Sequence, residues 1–408
     1  MNTPPNTSPT RKIPSNFLGT RLSADNPFPL VAQWRSTGPL VQLSLPSDPS
    51  QKAWVVTRMD EAVQILKDHT HFTVDIDVVS PELLGQMGFD ASGTVFVGQS
   101  MLSVDEPKHR RLRRLVAHVF TPNYIASLLP SIQRITDTLL DRVEQQGQMD
   151  LVNDFAYPLP IAVISEMLGI PEQGREQIKQ WAQGFTSGST QIMSQSARAF
   201  SSYLEMLVAE KRQQPTDDLI CRLLQLEEAD RLSEGELLAN IGLLIFAGHE
   251  TTSSMISMGM LTLFNYAEQL DLLKKDLRLV PSAVEDLLRF TGPAFASPPR
   301  FVTQDIVIGG QQLRRGERVI VLLGSANHDE RHFSDPDELR IARSINNHIA
   351  FGQGIHTCLG APLARLESEI AFTTLLRRFP HLQLDPTRKV QWSPGNAIRG
   401  LMSLPVTF

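Results

Sequence analysis

Ten residues, Phe351-Gly352-Gln353-Gly354-Ile355-His356-Thr357-Cys358-Leu359-Gly360, most constrain what this chain can fold into. They set one of its two cysteines among three glycines, just ahead of Pro362 and an amphipathic helix pattern from Leu363 to Leu376. A cysteine before a helix meets the first-turn N–H groups and the positive end of the helix dipole, and both favour thiolate over thiol. Gly360 lets the backbone approach a bulky group. Pro362 suits the first helical turn, where its missing donor costs nothing. The local chemistry is that of a thiolate held at a helix start against a large flat partner. The bland alternative is a buried, inert cysteine, the usual fate of a free thiol.

Phe351, Gly354, Cys358 and Gly360 fall at the spacing Phe-x-x-Gly-x-x-x-Cys-x-Gly, and here the chain resembles the cytochromes P-450. The resemblance implies a mainly α fold with small β-sheets, a triangular helical prism. Haem b would lie between a long central helix and the helix after the Cys loop. Cys358 would ligate the iron, with Phe351, Gly352 and Gly360 shaping the loop around the haem.

A second feature interrupts the longest apolar pattern. Ala247-Gly248-His249-Glu250-Thr251-Thr252 breaks a helix that opens at the capping box Ser233-Glu234-Gly235-Glu236 and runs through the 240s into the 260s. A glycine inside a helix costs about 1 kcal/mol against alanine. Buried Glu and Thr cost more unless partnered. A threonine can also bond the carbonyl one turn back and loosen the helix. A polar stripe meeting water is the simpler alternative. The hexapeptide resembles the family's acid–alcohol motif, which implies that Thr251 hydrogen-bonds dioxygen and Glu250 relays protons. Ala247 and Gly248 would leave room for oxygen and substrate. Splitting O–O requires delivered protons, so an acid beside a hydroxyl makes chemical sense.

The run Asp105-Glu106-Pro107-Lys108-His109-Arg110-Arg111-Leu112-Arg113-Arg114 reads as a helix start at Pro107, with His109 and Arg113 on one face. A solvated basic face explains it equally. By resemblance, His109, Arg113, Arg300 and His356 would meet the haem propionates. Lys108, Arg110, Arg111 and Arg114 would form a basic proximal surface on which an acidic ferredoxin or flavodoxin docks. Which of these arginines faces outward stays open.

The family's Glu-x-x-Arg pair has a counterpart in Val284-Glu285-Asp286-Leu287-Leu288-Arg289, one methylene shorter in register. Arg289 can pair with Asp286 at i,i+3 or with Glu285 at i,i+4. We favour Asp286, because the guanidinium tolerates a shorter carboxylate, whereas turning the helix disturbs its apolar face.

The rest of the chain supplies context. The 408 residues are 41% apolar, and the net charge of −6 argues against nucleic acid as a partner. Cysteines at 221 and 358 form no disulfide framework, as expected in a cytoplasm. Residues 1–16 are polar and rich in proline and read as a disordered tail. Residues 17–408 read as one domain, because no linker divides them. The apolar stretch Leu237 to Gly248 is shorter than the ~20 residues a bilayer needs, so no membrane anchor is expected. A monomer is expected.

Val41–Leu45 and Ala53–Thr57 read as a hairpin and Met59–Lys67 as a helix. The pattern from 107 to about 290 is mostly helical, with Pro158, Pro160, Pro171 and Pro215 as breakers. Arg300–Thr303, Ile306–Ile308 and Arg318–Leu323 read as strands, and 400–406 as a last extended segment. Residues 72–100 have no clear period, and a loop that long is often functional.

These readings point to a bacterial haem-thiolate monooxygenase that hydroxylates or epoxidises an apolar small molecule with O2 and electrons from a ferredoxin or flavodoxin. The alternatives are a peroxide-driven peroxygenase, against which Glu250-Thr251 argues, and a non-catalytic haem-binding protein. Val79, Leu84, Phe89, Val95, Leu243, Ala294, Phe295 and Leu401 fall where the family lines its pocket. Apolar lining selects greasy ligands and names none.

Overall fold

The computed structural model describes residues 26–44, 51–75, 78, 99–185, 189–225, 232–393 and 398–408. The proposed tail, the hairpin tip and pocket candidates Val79, Leu84, Phe89 and Val95 lie outside these. In chain order come α1 (Phe28–Thr37), β1 (Leu40–Ser44), β2 (Lys52–Val56), α2 (Met59–Lys67) and β3 (Phe72–Thr73). Then follow α3 (Lys108–Val119), α4 (Pro122–Ser127), α5 (Leu129–Asp141), β4 (Gln148–Asp150), α6 (Pro158–Leu168), α7 (Glu172–Phe185), α8 (Thr190–Gln213) and α9 (Leu219–Leu224). The long α10 (Glu234–Asn265) leads to α11 (Ala267–Lys275) and α12 (Val280–Thr291). Strands β5 (Arg300–Val302), β6 (Ile306–Ile308), β7 (Gln311–Leu313) and β8 (Arg318–Val321) precede α13 (Leu323–Ala326) and α14 (Ala361–Arg378). The described chain closes with β9 (Gln383–Leu384), β10 (Gln391–Trp392), β11 (Leu401–Ser403) and β12 (Pro405–Thr407).

The expected hairpin is present, with Leu40 opposite Val56. It extends into a five-stranded sheet ordered β1-β2-β8-β5-β3, in which only β2 and β8 run parallel. The β6–β7 hairpin turns at Gly309 and Gly310, both at positive φ, where a side chain would be strained. The short strands β3, β4, β7, β9 and β10 are too brief to show a period in sequence.

Two breakers act differently from expectation. Pro158 and Pro160 lie in the first turn of α6, which follows directly on a π-helical turn, Leu151–Ala156. Proline is tolerated there because first-turn N–H groups need no helical partner. Pro171 does follow a helix end, the left-handed Gly169 cap of α6.

Helix α10 opens on the expected capping box. The Ser233 side chain accepts from the Glu236 N–H at 3.3 Å, and the Glu236 carboxylate accepts from the Ser233 N–H at 2.9 Å. Of the 32 residues of α10, 21 are buried, because it runs through the largest apolar cluster, with α6, α8, α12 and α14 around it. A Cβ on Gly259 would lie 2.7 Å from the Phe372 ring of α14. That glycine sets how closely the two site-bearing helices approach.

Candidate active site

Cys358 is exposed, immediately before α14, while its neighbours are half-buried. The loop that presents it is tied by its own backbone. The Cys358 N–H donates to Phe351 O at 2.9 Å, and Thr357 donates to Gly354 O through both N–H and hydroxyl, at 3.1 and 2.7 Å. Gly354 has φ 78° and a Cβ there would overlap the Leu66 carbonyl, so the position requires glycine. Gly352 also has positive φ.

The first-turn N–H groups of Gly360 and Ala361 reach the sulfur, as the sequence implies. The thiol pKa nevertheless moves up. Desolvation by the surrounding protein pushes it up, while the Gly360 and Ala361 N–H groups and the charges of Arg113 and Arg365 pull toward thiolate. The sulfur needs a cationic partner to hold its charge.

Around it stand cationic groups from distant segments. Arg113 on α3 is half-buried and electrostatically coupled to Cys358. His109, one turn earlier, is 2% exposed, and neither ring nitrogen has a hydrogen-bond partner among the described residues. Burial, with His356 and Arg113 close by, pushes its pKa down to about 4. The His109 and His356 rings lie 4.5 Å apart. His356 Nε2 pairs with Asp105 at 3.0 Å, and Asp105 also accepts from Val74 N–H at 2.9 Å and from the Thr73 hydroxyl. Arg300 on β5 is buried, donates only weakly to Ser297 at 3.5 Å, and is pushed down to about 10 by burial.

This set fits a haem. A soft thiol suits iron. An orphaned buried histidine and two under-bonded arginines suit paired carboxylates.

Behind the loop, Asp286 and Arg289 are both wholly buried and bond at 2.6 Å. Asp286 also accepts from Arg340 N–H at 2.6 Å, Arg343 Nε at 2.9 Å and Asn346 at 3.2 Å. Arg289 donates to the carbonyls of Pro336 and Glu338 at 2.6 and 2.8 Å. Glu285 points elsewhere, to Arg365 at 2.6 and 2.9 Å and to His348 at 3.1 Å. Although burial pushes the Glu285 carboxyl up, Arg365 and His348 hold it at about 2. Arg365 then lies 4.6 Å over the Phe351 ring. Sequence reading missed Arg365 and Asp105. The first has a local signal, a cation at the start of the second turn of the helix that Cys358 precedes. The second has none.

In the middle of buried α10, Ala247 is exposed and Gly248 meets only Ile164, at 3.7 Å. The Thr251 hydroxyl donates to Ala247 O at 2.7 Å. Burial raises the Glu250 carboxyl above its ordinary value. No hydrogen bond or ion pair among the described residues joins this turn to the Cys358 group. The two meet through the packing of α10 on α14.

Of the described pocket candidates, Leu243 and Ala294 are half-buried and Leu401 is in the main core. Phe295 is corrected: it is wholly buried beside Val31 and Trp34, edge-on to Phe28, and belongs to the core under α1. The basic face is also thinner than expected. Arg110 bonds Glu106 at 3.0 Å and the half-buried Arg111 bonds Glu236, while Lys108, Arg110 and Arg114 are exposed.

The chain belongs to the cytochrome P450 family, whose model matches residues 157–406. It is a haem-dependent monooxygenase by family. Cytochrome P450 CYP107DY1 of Priestia megaterium (strain ATCC 12872 / QMB1551) is 44% identical over 369 residues, covering 87% of this chain and 90% of the relative. The polyketide biosynthesis cytochrome P450 PksS of Bacillus subtilis (strain 168) is 39% identical, covering 94% of this chain and 96% of that protein. The crystal structure of the myxobacterial cytochrome P450 CYP267B1 in complex with myristic acid is 40% identical. It superposes with a TM-score of 0.90 over 96% of this chain and 98% of that one. Among the described residues no single helix is long and apolar enough to cross a membrane.

Proposed function

We propose that residues 17–408 act as one cytoplasmic monooxygenase domain that oxidises an elongated apolar substrate, with haem b held by Cys358. The observation that carries this reading is the convergence on one thiol of two helix N–H groups, Arg113 and Arg365, with the buried His109, whose ring nitrogens have no hydrogen-bond partner among the described residues, beside Arg113 and His356. Bound haem supplies the iron at which dioxygen is activated and one oxygen atom is transferred to the substrate.

The chain's own residues do the rest. Cys358 would hold the iron as a thiolate, and the Gly360 and Ala361 N–H groups with Arg113 and Arg365 stabilise charge on its sulfur. His109, Arg113, Arg300 and His356 would hold the propionates, and Asp105 fixes the His356 ring. Glu250, whose carboxyl burial pushes above its ordinary value, stands one residue from the Thr251 hydroxyl, placed to take up and pass on a proton. Thr251 releases its own proton only when its bond to Ala247 O is exchanged for another.

Leu243 and Ala294 present apolar surface for the substrate. An extended acyl or polyketide-like chain is the class we favour, because a structural neighbour was solved with myristic acid and a relative serves polyketide biosynthesis. Electrons come from a ferredoxin or flavodoxin that meets Lys108, Arg110 and Arg114.

The reduced protein under carbon monoxide should show the thiolate–haem absorption band, and Cys358→Ser should abolish it. A haem-loaded wild type without the band would refute the ligand assignment. Thr251→Ala should keep the band and divert electrons to peroxide. Unchanged coupling would remove Thr251 from the reaction.

A further inference from the structure

His249 stands between Gly248 and Glu250, and no role above uses it. It is 0% exposed, yet both ring nitrogens are engaged. Nδ1 lies 3.0 Å from Ile245 O, one turn back on α10, and Nε2 lies 3.2 Å from the Tyr157 hydroxyl at the N-terminal edge of α6. The two rings meet edge to face at 5.3 Å.

A carbonyl oxygen only accepts, so Nδ1 carries the proton and Nε2 accepts from Tyr157. The ring is neutral, since burial pushes its pKa down to about 4. This gives one directed chain, Tyr157 O–H to Nε2, then Nδ1–H to Ile245 O. Two residues on, Thr251 makes the same bond to Ala247 O. Two side-chain bonds to carbonyls one turn back, at Ile245 and Ala247, compete with the backbone ladder for those acceptors, while the helix itself runs unbroken from Glu234 to Asn265. Only the first is anchored outside α10. Tyr157 also lies close enough to Glu250 for that carboxylate to raise the phenol's pKa, after the larger effect of burial.

We propose that Tyr157 and His249 are positioning residues: their hydrogen-bond chain into Ile245 O ties this turn of α10 to the edge of α6 so that Glu250 and Thr251 keep one orientation. The inference rests on the reading of those two as the proton-handling pair. A bond to a fixed partner at the edge of another helix gives the turn a defined position, and a networked bond is worth more than an isolated one.

The test uses full-length haem-loaded protein with Tyr157→Phe, which removes one oxygen atom and keeps the ring, and with His249→Phe. Nitrogen NMR of labelled histidine in the reduced carbonyl form should show His249 protonated on Nδ1 alone, and Tyr157→Phe should move the Nε2 resonance. The infrared stretch of the iron-bound carbonyl should be single in the wild type and split or broadened in Tyr157→Phe. The fraction of electrons lost to peroxide should rise about fivefold, the weight of one hydrogen bond. The double variant should add nothing to His249→Phe.

A Tyr157→Phe protein with the wild-type carbonyl stretch overturns the proposal. So does one with an altered stretch and an unchanged peroxide fraction. If the wild type lacks the thiolate–haem band, the reading of the site fails separately. The histidine resonance is still read on that chain, and a proton on Nε2 overturns the clamp whether or not any variant folds.

Discussion

The loop around Cys358 and the turn around Thr251 sit on two helices that pack against each other, yet they are held in opposite ways. The loop is over-determined. Its backbone bonds to itself, Gly354 is forced by the Leu66 carbonyl, and a buried charge network anchors the segment behind it. The turn is held by side chains. His249 and Thr251 share carbonyls with the regular ladder, and the Tyr157–His249 hydrogen bond ties the turn to the edge of another helix. A ligand site rewards rigidity, because metal geometry tolerates little error. A proton-delivery site needs groups that can exchange bonds, as Thr251 must with Ala247 O.

The contrast breaks most visibly at Asp286. Asp286→Ala leaves Arg289 and Arg343 buried without their carboxylate. Removing one partner of a buried pair costs about 3–5 kcal/mol. The urea midpoint should fall accordingly and haem stoichiometry with it. Glu285→Ala, which cuts a partly exposed bridge to Arg365 and His348, should cost distinctly less. Equal losses would mean that the buried network does not anchor the loop.

The second effect separates the regions by pH. His249 has its pKa lowered from 6.5 to about 4 in the fold, so the unfolded chain takes up the proton first. Its neutral burial therefore contributes stability that is whole above pH 6.5 and is lost as the pH falls toward 4, on the order of 3 kcal/mol in all. Urea titrations at several pH values should show a shallower acid loss in His249→Phe than in wild type across that window. Parallel curves would mean that the ring is protonated in the fold.

What sequence alone reveals follows the same division. Cys358, its helix and the Asp286–Arg289 pair lie within short spacings, so periodicity and pairing rules reach them. The mainly helical class with small sheets was equally visible, because long helices carry strong periods. Arg343, 57 residues from Asp286, and Asp105, 251 residues from His356, have no local signal. Tyr157 and His249 are 92 apart. Phe295 read as pocket because an apolar residue beside a site looks the same whether it faces ligand or core.

The smallest effects test the comparison glycine against glycine. Gly354→Ala puts a side chain at φ 78° against a backbone carbonyl that cannot yield, and should cost about 2 kcal/mol or more. Gly248→Ala puts a Cβ 3.7 Å from Ile164, an ordinary contact, in a helix interior. Alanine is favoured over glycine there by up to about 1 kcal/mol, so this variant should hold its urea midpoint or gain slightly. Its cost should appear instead in substrate or dioxygen access, because the added methyl stands one residue from exposed Ala247. Loss of stability in Gly248→Ala would show that the fold, rather than the chemistry, needs that glycine, and the two regions would then be constrained alike.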